Sequence, residues 1–203
     1  MGISERKERE KQEMQDLILN AAAKIFLKEG FDKVSIRKIA DAIEYSPATI
    51  YLYFKDKNEL FYAIQKQAFD KFFLYFQTVS PTEDPIDRLR NLGEVYIRFA
   101  MENPGYYDLM FIMRAPMESI ENALDWDEGS KSHNILHEIV NQCVAKGHFK
   151  GQDPFIVAHI IWSFVHGLSS LHVRERMKMF PEDQRENMIL EALKVFNDWM
   201  KKL

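Results

Sequence analysis

The chain has a single cysteine, Cys143, so no disulfide can form within it, and that usage fits a reducing cytoplasm. Its eight glycines never gather into the loop that cradles a phosphate, and no HExxH or paired-cysteine spacing marks a metal centre. No nucleophile stands at a recognisable spacing from a base, which leaves catalysis without support. Long apolar runs are missing too. The most apolar window, Phe155 to Leu171, is interrupted by His159, Ser163 and His166 and reads as a buried helix, not a membrane span. No apolar stretch follows the charged N-terminus, so no secretory signal is expected. Charge of one sign is also lacking: 27 Lys and Arg stand against 31 Asp and Glu, a net −4, which weighs slightly against a nucleic-acid binder.

What the chain does have is helical periodicity from end to end, with no strand alternation, repeat or low-complexity tract. An all-α fold is the reading, and 203 residues suffice for one large or two modest domains with a sizeable core. Met1 to about Glu13 is a mixed-charge extension of a first helix whose apolar stripe is Leu17, Ile18, Ala21, Ala22, Ile25 and Phe26, stopped at Gly30.

The organising stretch is Ser35 to Lys57. Ser35 caps a helix with Ile36, Ile39, Ala40 and Ile43 inward, and Ser46-Pro47 is a second start, a hydroxyl cap followed by proline at the first helical position. Between them Ala42 to Tyr45 allows only a sharp reversal. Asp56 with Glu59 three residues on opens a third helix as a capping box. Two short helices about a tight turn make a helix-turn-helix. The outer face of the second carries Ser46, Pro47, Thr49, Tyr51 and Tyr53 and no acid, with Lys55 and Lys57 beside it, which suits a negatively charged groove. Residues 1–57 hold eleven Lys or Arg against ten acids, a balance of +1 that leaves −5 for the rest. Arg9 and Lys11, at the entry, are candidates for phosphates.

The run Ser35-x-Arg37-x-Ile39-Ala40, then Tyr45-Ser46-Pro47-Ala48-Thr49-Ile50-Tyr51-x-Tyr53-Phe54-Lys55-Asp56-Lys57-x-x-Leu60, closely resembles the DNA-binding head of the tetracycline-repressor (TetR) family. The departure is Glu44, where the family usually has glycine. A left-handed residue other than glycine costs about 1–2 kcal/mol, so a slightly rebuilt turn is expected. The resemblance implies a three-helix head over residues 1–58 and a helical effector-binding and dimerisation body over 59–203. It also implies a double-stranded DNA operator as partner. Carried over by position, Arg37 is the candidate for a base edge. Pro47, Ala48 and Thr49 are candidates for apolar contacts, and Ser35, Ser46, Tyr51, Tyr53 and Lys57 for phosphates. Tyr45 suits either role, and Lys38 joins the set.

Beyond Lys57 the periodicity predicts a long aromatic-rich helix to Val79, then a break at Ser80–Pro85 and a helix over Ile86–Ala100. A short piece, Tyr106 to Met113, comes next. The loop over Arg114–Ser132 holds a helical fragment near Ile120–Leu124. Further helices run from Ile135, from Asp153-Pro154 and from Pro181-Glu182, the last with Met188, Ile189, Ala192, Leu193, Phe196, Trp199 and Met200 on one stripe. The helix holding Phe155 to Leu171 is apolar nearly all round and must be covered on several sides. Within it Trp162-x-x-x-His166-Gly167 resembles a Trp-His-Gly signature of one TetR subgroup.

Family resemblance implies an effector pocket, for which Tyr106, Tyr107, Met110, Met113, Met117, Trp126, His137, Trp162 and His166 are candidates. It also implies a homodimer sealed by Trp162, Gly167, Ser170, Leu193 and Phe196. All six histidines lie between His133 and His172, and His133 and His137 share a helix face. Pocket or surface roles suit that pair better than a metal, and neither metal nor cofactor is expected. The function expected is a ligand-responsive repressor. The alternatives are a helical small-molecule binder or enzyme with a vestigial head, and a non-specific DNA-packaging protein.

Overall fold

Hydroxyl and carboxylate caps set most helix starts. A computed structural model describes residues 2–79, 84–114, 117 and 126–202. Among them every regular element is helical. The order is α1 Ile3–Glu29, a 3₁₀ turn Phe31–Lys33, α2 Ile36–Ala42, α3 Pro47–Tyr51, α4 Lys57–Phe76, α5 Pro85–Glu102, α6 Pro104–Phe111, α7 Asp127–Ala145, α8 Pro154–Val173 and α9 Glu182–Met200. Ser35 Oγ accepts from Lys38 N at 3.2 Å, Ser46 Oγ from Thr49 N at 3.2 Å, and Asp56 Oδ1 from Glu59 N at 2.9 Å. Asp84 and Asp153 cap α5 and α8 ahead of a proline in the first turn.

The chain packs as two compact units, Met1–Ala68 with Leu109–Glu121, and Phe69–Asp108 with Asn122–Leu203. In the first, α1 buries Ile18, Leu19, Ala22, Ala23 and Phe26. The stripe is thus turned from the one expected: Leu17 is 42% exposed, and Leu19 and Ala23 face inward. Apolar residues flank the stripe on both sides, so spacing alone did not fix its centre. Ile39, Ala40, Ile50, Phe54, Leu60 and Ile64 complete this core, where Phe61 meets Phe26 and Phe31 edge-on at 5.4 and 4.6 Å. Buried Gln65 of α4 donates to the carbonyls of Leu109 and Met110 at the end of α6, at 3.2 and 3.3 Å.

In the second unit α5 is the most deeply buried helix, with Leu89, Leu92, Val95, Tyr96, Ile97, Phe99 and Ala100 all inside. It packs on α7, α8 and α9. A β-carbon on Gly93 would meet Leu193 and Val165 only at 3.5 and 3.6 Å, so the three helices approach closely without needing glycine there. Helix α7 starts at Asp127, inside the stretch expected to be loop. Asp127 and Glu128 favour a helix N-terminus, outweighing Gly129. Helix α9 turns Asn197 inward, 2% exposed, and leaves Trp199 61% exposed, correcting the expected stripe. Residues 80–83 of the expected break, Pro116, and the fragment at Ile120–Leu124 lie outside the described residues.

Helix α8 is long and apolar enough to cross a bilayer by length and composition alone. It buries Val157, Ala158, Ile161, Val165 and Ser169 in this unit and leaves Phe155, Ile156, Ile160 and Leu171 about half exposed. The covering expected on several sides is supplied within one chain on one side.

Candidate functional site

The turn between α2 and α3 fixes the outer face of the head. Tyr45 N donates to Ala40 O at 3.0 Å, and Glu44 sits at φ 61°. Glu44 thus holds a left-handed conformation and bears its strain, two residues ahead of the Ser46 cap. Ser46 Oγ is shared between the Thr49 amide and the Thr49 hydroxyl, 3.0 Å away, which locks the start of α3. Tyr45, Ser46, Pro47, Ala48 and Tyr51 are exposed, as are Ser35 and Arg37, while Thr49 and Tyr53 are half-buried. Tyr51 keeps 56% of its surface, so its ring is not core. The Arg37 guanidinium has no partner among the described residues.

Several bases nearby are already engaged. Lys38 pairs with Glu29, whose carboxyl it holds below the usual range, chiefly through their hydrogen bond. Arg6 pairs with Glu10 and Arg9 with Glu13 along exposed α1. Lys57, expected at a phosphate, donates to Phe31 O at 2.8 Å and lies 3.8 Å above the Phe31 ring. Burial lowers the Lys57 ammonium from its ordinary value, Asp32 opposing. Glu59 closes its box on the Lys55 amide, one residue ahead of the Asp56 cap.

In the second unit Tyr107, Trp162 and His166 come together, joined by Tyr96 from the buried face of α5. The Tyr107 hydroxyl lies 2.8 Å from His166 Nδ1, that of Tyr96 lies 3.3 Å from the same atom, and the two hydroxyls are 3.4 Å apart. Burial raises both phenols well above their ordinary values and lowers the His166 imidazole. The three polar groups form a closed cluster, and the Trp162 ring stands 6.0 Å from the His166 ring beside it. A tyrosine in an aliphatic core stripe was the available signal, since a buried hydroxyl needs a partner.

The other pocket candidates spread out. Tyr106 lies under the Lys71 ammonium at 5.4 Å, and Trp126 packs edge-on to Phe69 at 6.2 Å with its buried Nε1 unpartnered among the described residues. His137 stacks on His133 at 6.2 Å, and both rings border Phe155. Met110 is buried and Met113 and Met117 half-buried, all three in the first unit. Of the residues expected between subunits, Leu193 is corrected: at 3% exposed it faces Gly93 within its own chain. Phe196 stacks on Phe164 at 3.9 Å, Ser170 is half-buried, and Gly167 has open space where a β-carbon would stand.

Residues 18–64 match the family model described as "Bacterial regulatory proteins, tetR family", and residues 89–193 match "Tetracyclin repressor-like, C-terminal domain". The chain belongs to the TetR family. Among relatives of this TetR-family regulator, the HTH-type transcriptional regulator HbdR of Aromatoleum sp. (strain CIB) is 20% identical over 162 residues, 79% of this chain and 71% of its own. The fold matches that of a TetR transcription regulator from Haloarcula marismortui with a TM-score of 0.73 at 19% identity, covering 95% of this chain and 98% of that one. It also matches the fatty acid degradation regulator FadR from Bacillus halodurans, with a TM-score of 0.68 at 18% identity over 89% and 93%. This TetR-family protein is a transcriptional regulator, not an enzyme, and the kind of partner it binds is DNA.

Proposed function

We propose that the protein is a cytoplasmic, homodimeric repressor that binds a palindromic operator and leaves it when a small apolar or amphipathic effector enters the body. The observation that carries the operator reading is the acid-free outer face of α3 beside an unpartnered Arg37. In this reading residues 1–58 read DNA and residues 59–203 bind effector and dimerise. Arg37 takes a base edge, Pro47, Ala48 and Thr49 meet base methyls, and Ser35, Ser46, Tyr51 and Tyr53 set register on phosphates, with Tyr45 and Lys38 alongside. Lys57 positions the head through Phe31 and makes no phosphate contact.

Dimerisation is supported by the apolar strip on α8, where the exposed Ile156, Ile160 and Leu171 fall on one helix face together with Gly167. Two heads are also needed to reach major grooves about 34 Å apart. The effector reading rests on the Tyr96–Tyr107–His166 cluster beside Trp162, polar groups set in an aromatic surround. Displacing that cluster would shift α4, which the backbone joins to α3 within six residues. Selection of binding sites from a random DNA pool tests the whole reading. The expected result is one palindrome with half-sites a helical turn apart; a monomer, or no preferred palindrome, overturns it.

A further inference from the structure

Leu52 is 79% exposed, more than any other large apolar side chain among the described residues. A single exposed leucine is ordinary on a protein surface; what sets this one apart is its place. It directly follows α3 and keeps helical angles, φ −72° and ψ −20°, with its amide on Thr49 O at 3.2 Å. At 3.6 residues per turn, Ala48 and Leu52 both lie about 160° round the axis from Ile50. Ile50 is fully buried, so Ala48 and Leu52 form the outermost ridge of α3. Exposed Pro47 and Tyr51 flank that ridge on one side, and half-buried Thr49 on the other.

The chemistry of the ridge is narrow. Neither the alanine methyl nor the leucine side chain donates or accepts a hydrogen bond. In the major groove guanine offers acceptors, cytosine a donor and adenine one of each, whereas thymine alone adds a C5 methyl group. A leucine pressed on the first three would cover donors and acceptors and leave them unpaired. Against thymine it buries methyl on methyl. The exposed hydroxyls of Ser46 and Tyr51 beside the ridge suit a groove walled by phosphates, not a second apolar surface.

We infer, on the reading that α3 enters an operator's major groove, that Leu52 packs on a thymine C5 methyl in each half-site and sets the base preferred there. Ala48, a turn earlier on the same ridge, is small and lets the backbone approach the base edges. Leu52 reaches further and supplies the contact. With most of its surface free, it takes no part in the core of the head, so its side chain can be changed without disturbing the fold.

Replacing thymine by deoxyuridine removes that methyl and nothing else, which makes the test direct. The palindrome selected from the random pool is titrated with the full chain by gel shift, then again with each thymine in turn replaced by deoxyuridine in both half-sites. One buried methyl is worth about fourfold, so the parent should lose roughly fifteenfold over the two half-sites at one such position. Leu52→Ala should lose at least about tenfold on the unmodified operator and be indifferent to deoxyuridine at that position. Its response at every other thymine, its helical content and its sedimentation should match the parent's. No thymine whose methyl separates parent from Leu52→Ala, equal weakening of that variant on operator and on random-sequence duplex, or a changed oligomeric state would each overturn the inference. A parent that selects no palindrome removes the operator reading as well, so the two failures are told apart at the first step.

Discussion

Lys57 and Phe31 clasp one another: the ammonium donates to the Phe31 carbonyl at 2.8 Å and rests 3.8 Å above its ring. The contact ties the start of the 3₁₀ turn to the first turn of α4. Lys57→Met is expected to lower stability by about 1–2 kcal/mol, from a charged hydrogen bond and a cation–π contact together. It should leave the slope of log affinity against log salt for the operator unchanged. A lysine lost from a phosphate would reduce that slope by about 1.

Arg37→Ala should act in the opposite sense. With an exposed, unpartnered side chain, its removal costs little stability, within about 0.5 kcal/mol. Operator affinity is expected to fall by about 1–3 kcal/mol, with discrimination relaxed at one base pair of each half-site. Gel-shift titration against single-base operator variants checks both.

The strip on α8 gives a test of assembly. Ile160 is 56% exposed in the single chain, so Ile160→Glu places a charge where a seam is proposed and leaves the core intact. Sedimentation should show a monomer with the parent's helical content and operator binding weakened by more than tenfold, since one head reaches one groove.

Acid should weaken the fold through half-buried imidazoles. Burial lowers His166, and lowers His133 with help from His137 and His159, below the ordinary 6.5. The unfolded chain then takes up protons first as pH falls. The stabilisation is complete above about pH 6.5 and declines as pH drops from there towards the depressed folded values. Urea midpoints at pH 7.5 and 5.5 should differ accordingly, and His166→Gln should narrow the gap.

Glu44→Gly should stabilise the head by about 1 kcal/mol, because φ 61° is free of penalty only for glycine. Denaturant midpoints measure it. A loss of stability would mean that the Glu44 side chain contributes more than its backbone costs.

The head was legible in the sequence because its signals are local. Ser35, Ser46-Pro47 and Asp56 each satisfy amides within three residues, so spacing alone placed α2, α3 and α4. The body was legible only as helices. Tyr96 and His166 meet across 70 positions, and no window of periodicity carries that relation. Asn197 likewise occupies a place that hydrophobic counting reserves for an apolar residue. The start of α7 was hidden because Gly129, Ser130 and Ser132 resemble loop, although Asp127 and Glu128 suit a helix N-terminus. Lys57 was assigned by position in a motif, and its nearest aromatic ring lies 26 residues upstream.

Cys143 is fully buried in the core shared by α5, α7 and α8, and burial pushes its thiol up to about 11. As the chain's sole sulfhydryl it is a ready-made label site that stays silent while the body is intact. Its rate of capture by a thiol dye therefore clocks how often that interior opens, without any engineered probe.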